Sequence, residues 1–182
     1  MSQRVRLYFA TSLDGFIADR DGSVDWLEAH DPEQYGYPEF FAEIGALVMG
    51  RRTYEFVRTM GDEWPYRGRR TYVLSSRPLT GLPDGVIPTP RGMSAAIASA
   101  RAATSRDVWV VGGAITMQAA LDEGHVDLIE TFIMPVLLGR GLPVIADLSH
   151  RAELSFQGIE TFPDGVVKLA YEVKRPPDGG AT

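Results

Sequence analysis

Apolar and polar positions alternate along Arg4–Ala10 (RVRLYFA), with Val5, Leu7 and Phe9 on one side, which predicts a first β-strand. Ala46–Met49 (ALVM), Thr71–Leu74 (TYVL) and Val108–Val111 (VWVV) are short continuous apolar runs, as expected of strands buried on both faces. Between them the period changes to that of helices. Pro38–Ile44 predicts one, with Pro at a starting position. Arg51–Thr59 predicts a second, directly after Gly50. Met93, Ile97 and Ala100 line one side of a third, Met93–Ala103. Ala114, Met117 and Leu121 line a fourth, which Gly124 can cap. Val86–Ile87 predicts a short strand, and Leu128–Met134 a strand of mixed character. Glu153–Glu160 and Val166–Val173 flank Phe162-Pro163-Asp164-Gly165 and predict a hairpin. Near the start, the turn dipeptides Asp14-Gly15 and Asp21-Gly22 bracket a short Phe16–Ala18 run. Helices between buried strands, followed by a hairpin, imply an α/β fold with a mixed sheet, helices on both faces and an antiparallel end.

Length and composition narrow this. The 182 residues fit one domain, expected over 1–175, with a disordered tail at 176–182 (PPDGGAT). There is no cysteine, so neither a disulfide nor a thiolate metal site can form. His30, His125 and His150 lack metal-ligand spacing. No apolar run is long enough for a membrane span or a signal peptide, and a cytoplasmic protein is expected. The net charge is −6, which argues against a nucleic-acid or membrane surface. Its distribution is uneven. Ten of the sixteen arginines lie between Arg51 and Arg106 against four acids, giving about +6 inside a frame of about −12. Solvated surface arginines account for that segment, and so does a local site for a phosphorylated small molecule.

Three buried strands end in residues suited to anions, at the strand ends where α/β sheets bind ligands. These are Gly50-Arg51-Arg52-Thr53, Ser75-Ser76-Arg77 and Gly112-Gly113. The glycines permit close backbone approach, the following helices offer free N–H groups, and the arginines and hydroxyls add donors. Each segment also has a purely structural reading, as a tight turn, a turn cap or a solvated arginine. A dinucleotide fingerprint G-x-G-x-x-G is absent. The strand end that would meet an adenosine ribose carries Ser76 and Arg77 in place of an acid, which suits a 2′-phosphate and favours NADP over NAD.

Ser12-Leu13-Asp14-Gly15-Phe16-Ile17-Ala18, Val48–Glu55 (VMGRRTYE), Val73–Arg77 (VLSSR), Val110–Ala114 (VVGGA) and the later Pro135–Gly141 (PVLLGRG) occur in order. That series resembles the dihydrofolate reductase-like superfamily, and within it the branch holding the riboflavin-biosynthesis reductase domain, over residues 5–173. The resemblance implies a central mixed sheet of about eight strands and reduction of a phosphoribosylaminouracil with NADPH. It places Gly50, Arg51, Arg52 and Thr53 at the cofactor pyrophosphate, and Ser75, Ser76 and Arg77 at the adenosine 2′-phosphate. Gly112, Gly113, Ala114 and Ile115 would lie along the pyrophosphate and nicotinamide, with Ala10 and the Ser12–Ile17 loop bordering nicotinamide and substrate. Lacking cysteine, the chain can correspond only to the reductase half of the bifunctional enzymes, whose deaminase half needs zinc.

The substrate half departs from that branch. Tyr8 stands where the branch usually has a Lys, two residues before Ala10. Asp14 is the candidate proton donor by location, and equally a turn-forming residue before Gly15. Two readings follow: an NADPH-dependent reductase of a small planar heterocycle, or a protein that binds the nucleotide and has lost the chemistry. A homodimer is expected from the resemblance and from the apolar strand Ile129–Leu138, which would be a liability as an open edge.

Overall fold

The computed structural model describes residues 3–174, so the expected tail at 176–182 lies outside the described residues. Ten strands form: β1 (Val5–Ser12), β2 (Phe16–Ala18), β3 (Ile44–Gly50), β4 (Arg70–Leu74), β5 (Val86–Thr89), β6 (Asp107–Gly112), β7 (Leu128–Met134), β8 (Leu142–Pro143), β9 (Leu154–Thr161) and β10 (Val167–Val173). Four helices accompany them: α1 (Tyr37–Glu43), α2 (Arg51–Val57), α3 (Met93–Ala103) and α4 (Ala114–Asp122). Eight strands make one sheet in the order β5-β4-β3-β6-β1-β7-β10-β9. The first six in that order are mutually parallel, whereas β10 runs antiparallel to both β7 and β9. The α/β class, the mixed sheet and the C-terminal hairpin are therefore as the sequence predicts.

Alternation along each strand distributes side chains to two helical layers. Val5 and Leu7 of β1, Ala46 and Val48 of β3, and Val108 and Val110 of β6 pack against Ala96, Ile97 and Ala100 of α3 and Met117 and Leu121 of α4. Leu47 and Met49 of β3 and Trp109 of β6 face the other way, onto Phe40 of α1 and Tyr54 and Val57 of α2. A third cluster, Tyr35, Phe132, Met134 and Val166, fills the space beside β7 and the hairpin turn. Among the described residues no helix is long and apolar enough to cross a membrane.

Two expectations change. The strand Leu128–Met134 is no open edge: β7 lies between β1 and β10, and the free edge on that side belongs to β9. Its mixed pattern arises because Glu130, Phe132 and Met134 are buried on one face, while Ile129, Thr131 and Ile133 are half-covered on the other. The short Phe16–Ala18 run pairs with β8 in a separate two-stranded sheet, which two residues including a proline do not announce in sequence.

The polar positions of β1 are also covered. Arg6 is 4% exposed and Glu130 6%. The Arg6 guanidinium donates through Nε to Glu130 at 2.9 Å, and its other nitrogens pair with Glu130, Glu43 of α1 and Asp107 of β6. It sits 4.7 Å over the Phe40 ring. Lys168 of β10 completes the cluster at 3.2 Å from Glu130. Burial works against the charged guanidinium, and the Glu130 and Glu43 carboxylates more than offset it. Arg6→Met is expected to cost about 3–5 kcal/mol in chemical denaturation, because it leaves a buried carboxylate short of its partner. Arg6→Met with Glu130→Leu should recover part of that loss.

Candidate functional site

Because β1, β3, β4 and β6 are parallel, their carboxyl ends at Ser12, Gly50, Leu74 and Gly112 fall along one edge of the sheet. The turns leaving β3 and β6 abut each other. A Cβ at Gly50 would fall 2.5 Å from Thr116 Oγ1 of α4, and one at Gly113 would meet Thr53 Oγ1 of α2 at 3.5 Å. Gly50 is thus required by the approach of α4, and the space expected for a ligand at its α-carbon is filled by protein. Gly112 differs: its φ of +134° favours glycine, and nothing lies within 4 Å of an added Cβ. The Gly112–Gly113 peptide is cis.

The arginines and serines divide into two groups. Arg51 is spent inside the protein: Nε donates to Glu55 at 2.6 Å, and Nη1 to Ser75 Oγ at 3.3 Å and to the carbonyls of Arg77 and Pro78. Ser75 Oγ donates to the Arg77 carbonyl at 2.6 Å and accepts from the Arg77 amide. Arg51 and Ser75 therefore shape the loop leaving β4. That loop presents Ser76 and Arg77, both exposed, and Arg52 is exposed beside them. Neither Arg52 nor Arg77 enters an ion pair among the described residues. Two uncommitted guanidiniums and a hydroxyl fit the phosphates of a dinucleotide, and Gly112, buried at the end of β6, has clear space where a side chain would project. Ala114 and the 80%-exposed Ile115 open α4 on the same edge. Ala10 and Ile17 part company: Ala10 joins the cluster with Phe132 and Met134, whereas Ile17 packs on the α3–α4 side.

Asp14 sits in the loop leaving β1, next to the end of β6 on this edge. Its carboxylate accepts from Ser12 Oγ at 2.6 Å and from the backbone amides of Leu138 and Gly139 at 3.1 and 2.7 Å. The Leu13 amide adds a bond to the Val136 carbonyl, so two loops are clamped together. The Ser12 hydroxyl, followed by these amides, holds the Asp14 carboxyl below the usual range. A carboxyl kept ionised this way is a poor proton donor near neutrality.

Sequence spacing does not reveal the cluster on the far side of β1, where residues more than a hundred positions apart meet. The hairpin turn brings Asp164 to Tyr35 and His30. The Tyr35 hydroxyl donates to Asp164 Oδ2, and His30 Nδ1 lies 2.8 Å from that hydroxyl and 3.2 Å from Asp164 Oδ2. With the phenol proton directed at Asp164, the Nδ1 proton belongs to His30, which leaves Nε2 unengaged by any described residue. Burial and the Asp164 carboxylate push the Tyr35 phenol up to about 12. Tyr8 is stacked on Phe40 at 3.8 Å between centroids, with Lys168 Nζ of β10, two strands away, 5.8 Å from its ring, so a cation stands beside the position. A cavity of about 490 Å³ lined by Arg58, Trp64, Arg67 and Asp84 lies elsewhere, beyond the end of α2. The described residues contain no group of three or more His, Cys, Asp or Glu suited to a metal.

The Asp14 clamp has a pH signature. Since its folded-state pKa is lowered, its contribution is complete above the ordinary Asp value near 4 and is lost as pH falls below it. Asp14→Asn should reproduce that loss at neutral pH, raising hydrogen exchange at the Leu138 and Gly139 amides several-fold while the amides of β3 and β6 stay protected.

Comparison with known proteins gives the family and the fold. Residues 84–168 match the family described as the RibD C-terminal domain. The protein YwjB of Bacillus subtilis (strain 168), itself uncharacterised, is 31% identical over 167 residues, covering 91% of this chain and 96% of its own. A crystal structure from Shewanella sp. PV-4, provisionally described as a riboflavin biosynthesis protein, superposes with a TM-score of 0.83 at 29% identity, over 95% of this chain and all of that one. Two more distant structures share the fold. The deaminase/5-amino-6-(5-phosphoribosylamino)uracil reductase of Thermotoga maritima gives a TM-score of 0.70 at 20% identity, with 95% of this chain and 57% of that one covered. Schistosoma mansoni dihydrofolate reductase gives 0.68 at 19%, with 96% and 100% covered. With these matches, the chain belongs to the RibD C-terminal domain family, and it shares the fold of dihydrofolate reductase.

Proposed function

We propose that the protein is an NADPH-dependent reductase of a small planar heterocycle, of the 5-amino-6-(5-phosphoribosylamino)uracil type named for its T. maritima neighbour. It would act in the cytoplasm, as a homodimer. The observation that carries the reading is the loop at the end of β4, which Arg51 and Ser75 brace, leaving the side chains of Ser76 and Arg77 exposed and without a partner among the described residues. Bound NADPH would supply the hydride. Arg77 and Ser76 hold its 2′-phosphate, Arg52 and Thr53 bind the pyrophosphate, and Gly112–Ile115 run beside it. Ala10 and the loop to Ile17 border the nicotinamide, with Asp14 as a positioning residue that fixes the loop.

Reduction of a C=N or C=O bond also needs a proton. We assign it to His30, the imidazole whose Nε2 is unengaged by any described residue. Tyr35 and Asp164 orient it through Nδ1, with Asp31 the other acid near Tyr35. A second reading, nucleotide binding without reduction, draws on Tyr8: its ring is packed between Phe40 and Phe132 and offers no cation of its own.

Fluorescence titration should show tighter binding of NADPH than of NADH, and Arg77→Ala should reduce that preference by roughly 10–100-fold. Equal affinities in the wild type would overturn the role of Arg77. NADPH oxidation across pteridines, pyrimidines and imines separates the two readings, since no turnover in such a panel would favour the binding protein. On an active substrate, His30→Gln should lower kcat by roughly 100-fold at unchanged NADPH affinity.

A further inference from the structure

The face of β1 that carries Tyr8 and Ala10 forms one wall with His30. The Tyr8 hydroxyl donates to the Tyr35 carbonyl at 3.4 Å, and the Phe132 ring lies 4.9 Å from that of Tyr8 and 6.2 Å from that of Tyr35, which holds His30. The registers set Ala10 beside Phe132, Phe132 beside Lys168 and Lys168 beside Glu160 in one row. Two cations belong to this wall, and carboxylates enclose both. Arg6, 4% exposed, is surrounded by Glu130, Glu43 and Asp107. Lys168 Nζ lies 3.2 Å from Glu130 Oε1, between the rings of Tyr8 and Phe132 at 5.8 and 5.5 Å. The covering loop is acidic as well. Residues 19–43, the connection from β2 to β3 that holds His30 and Tyr35, carry eight acids against one base, Arg20, and all of the acids but Asp19 are exposed. The hairpin adds Glu160 and Asp164. Burial first, then Glu130 and, more weakly, Glu160 push the Tyr8 phenol above its ordinary value, so these carboxylates act on the wall itself. The exposed Arg140 leads instead into β8, whose partner β2 packs Ile17 on the α3–α4 side, across the sheet from Ala10.

We infer that the site takes its heterocycle without a phosphate, as a neutral or cationic base or nucleoside, and that the acids of residues 19–43 with Glu160 are what reject the phosphorylated form. This rests on the reductase reading for the place of the ligand and narrows its substrate class. An ionised phosphate brings a charge of about −1.5 to −2 at neutral pH and needs donors to replace its water. On this wall it meets carboxylates, and the two cations there are already enclosed by others. Placing like charges against an unwanted ligand is an ordinary way of choosing between two that otherwise fit alike. The phosphates of NADPH do not share the problem, because Arg52 and Arg77 stand at the ends of β3 and β4, inside the arginine-rich half of the chain. Bound NADPH adds its own negative charge to the cleft and so strengthens the rejection of a second anion. The sign of charge therefore changes along the edge, positive for the cofactor and negative for the substrate.

Calorimetry on the full chain saturated with NADP+ tests it, comparing 5-amino-6-(5-phosphoribosylamino)uracil with its dephosphorylated form. The dephosphorylated form should bind roughly 10–100-fold more tightly, and high ionic strength should shrink the difference. Glu160→Lys reverses an exposed charge at the end of the Ala10 row. It should strengthen binding of the phosphorylated form by roughly tenfold and leave the other unchanged, whereas a merely structural effect would move both alike. Equal or tighter binding of the phosphorylated form by the wild type, a difference that survives both high salt and Glu160→Lys, or no binding of either compound would each overturn the proposal. NADPH oxidation is read separately: the expected preference in binding without any reduction would count against the reductase and leave the charge selection standing.

Discussion

The buried guanidinium of Arg6 sits where the structure changes character. On one side of β1 the sheet is wholly parallel, with its strand ends along one edge; on the other it passes through β7 into an antiparallel hairpin. Arg6 reaches Asp107 of β6, Glu130 of β7 and Glu43 at the end of α1, and Glu130 passes the link to Lys168 of β10. Four strands and a helix are thus registered by one charge cluster around a buried guanidinium. Such a cluster need not add net stability over an apolar core. Its directional bonds instead hold β1 at one height against both neighbours, and that height aligns the loop at Asp14 with the turns after β3 and β6.

The strand ends combine residues that meet solvent with residues that shape them. Arg51, Ser75, Gly50 and Asp14 are engaged with other parts of the protein. Arg52, Ser76 and Arg77 are exposed, and none of their side chains is engaged by a described residue. In sequence both kinds look alike, because Gly-Arg-Arg and Ser-Ser-Arg list residue types and not their partners. Spacing along the chain locates the segment; the distances between segments assign the roles.

Much of the fold is legible without coordinates. Met93–Ala103 and Leu128–Met134 have the same bounds in sequence pattern and structure, since their apolar period and flanking signals act locally. Local pattern fails where the decisive contact is distant. Arg6 reads as the polar, outward side of an alternating strand, yet its partners stand 37 to 124 positions away and bury it. The apolar Ile129–Leu138 run reads as a liability if it formed an open edge, and only the register shows that β10, a strand of the later hairpin, covers that edge. His30, Tyr35 and Asp164 carry no mutual spacing signal, and only the turn between β9 and β10 unites them.

The interlock of Gly50 with Thr116 bears on how such a protein can vary over time. A side chain at position 50 has no room while the Thr116 hydroxyl holds its place, and Thr116 is itself 7% exposed with little freedom to turn away. The two positions, 66 residues apart, are mutually conditional: enlargement of one calls for shrinkage of the other. Relatives that carry a larger residue at 50 should therefore carry a smaller one at 116, a paired drift set by sterics and independent of which ligand the strand ends hold.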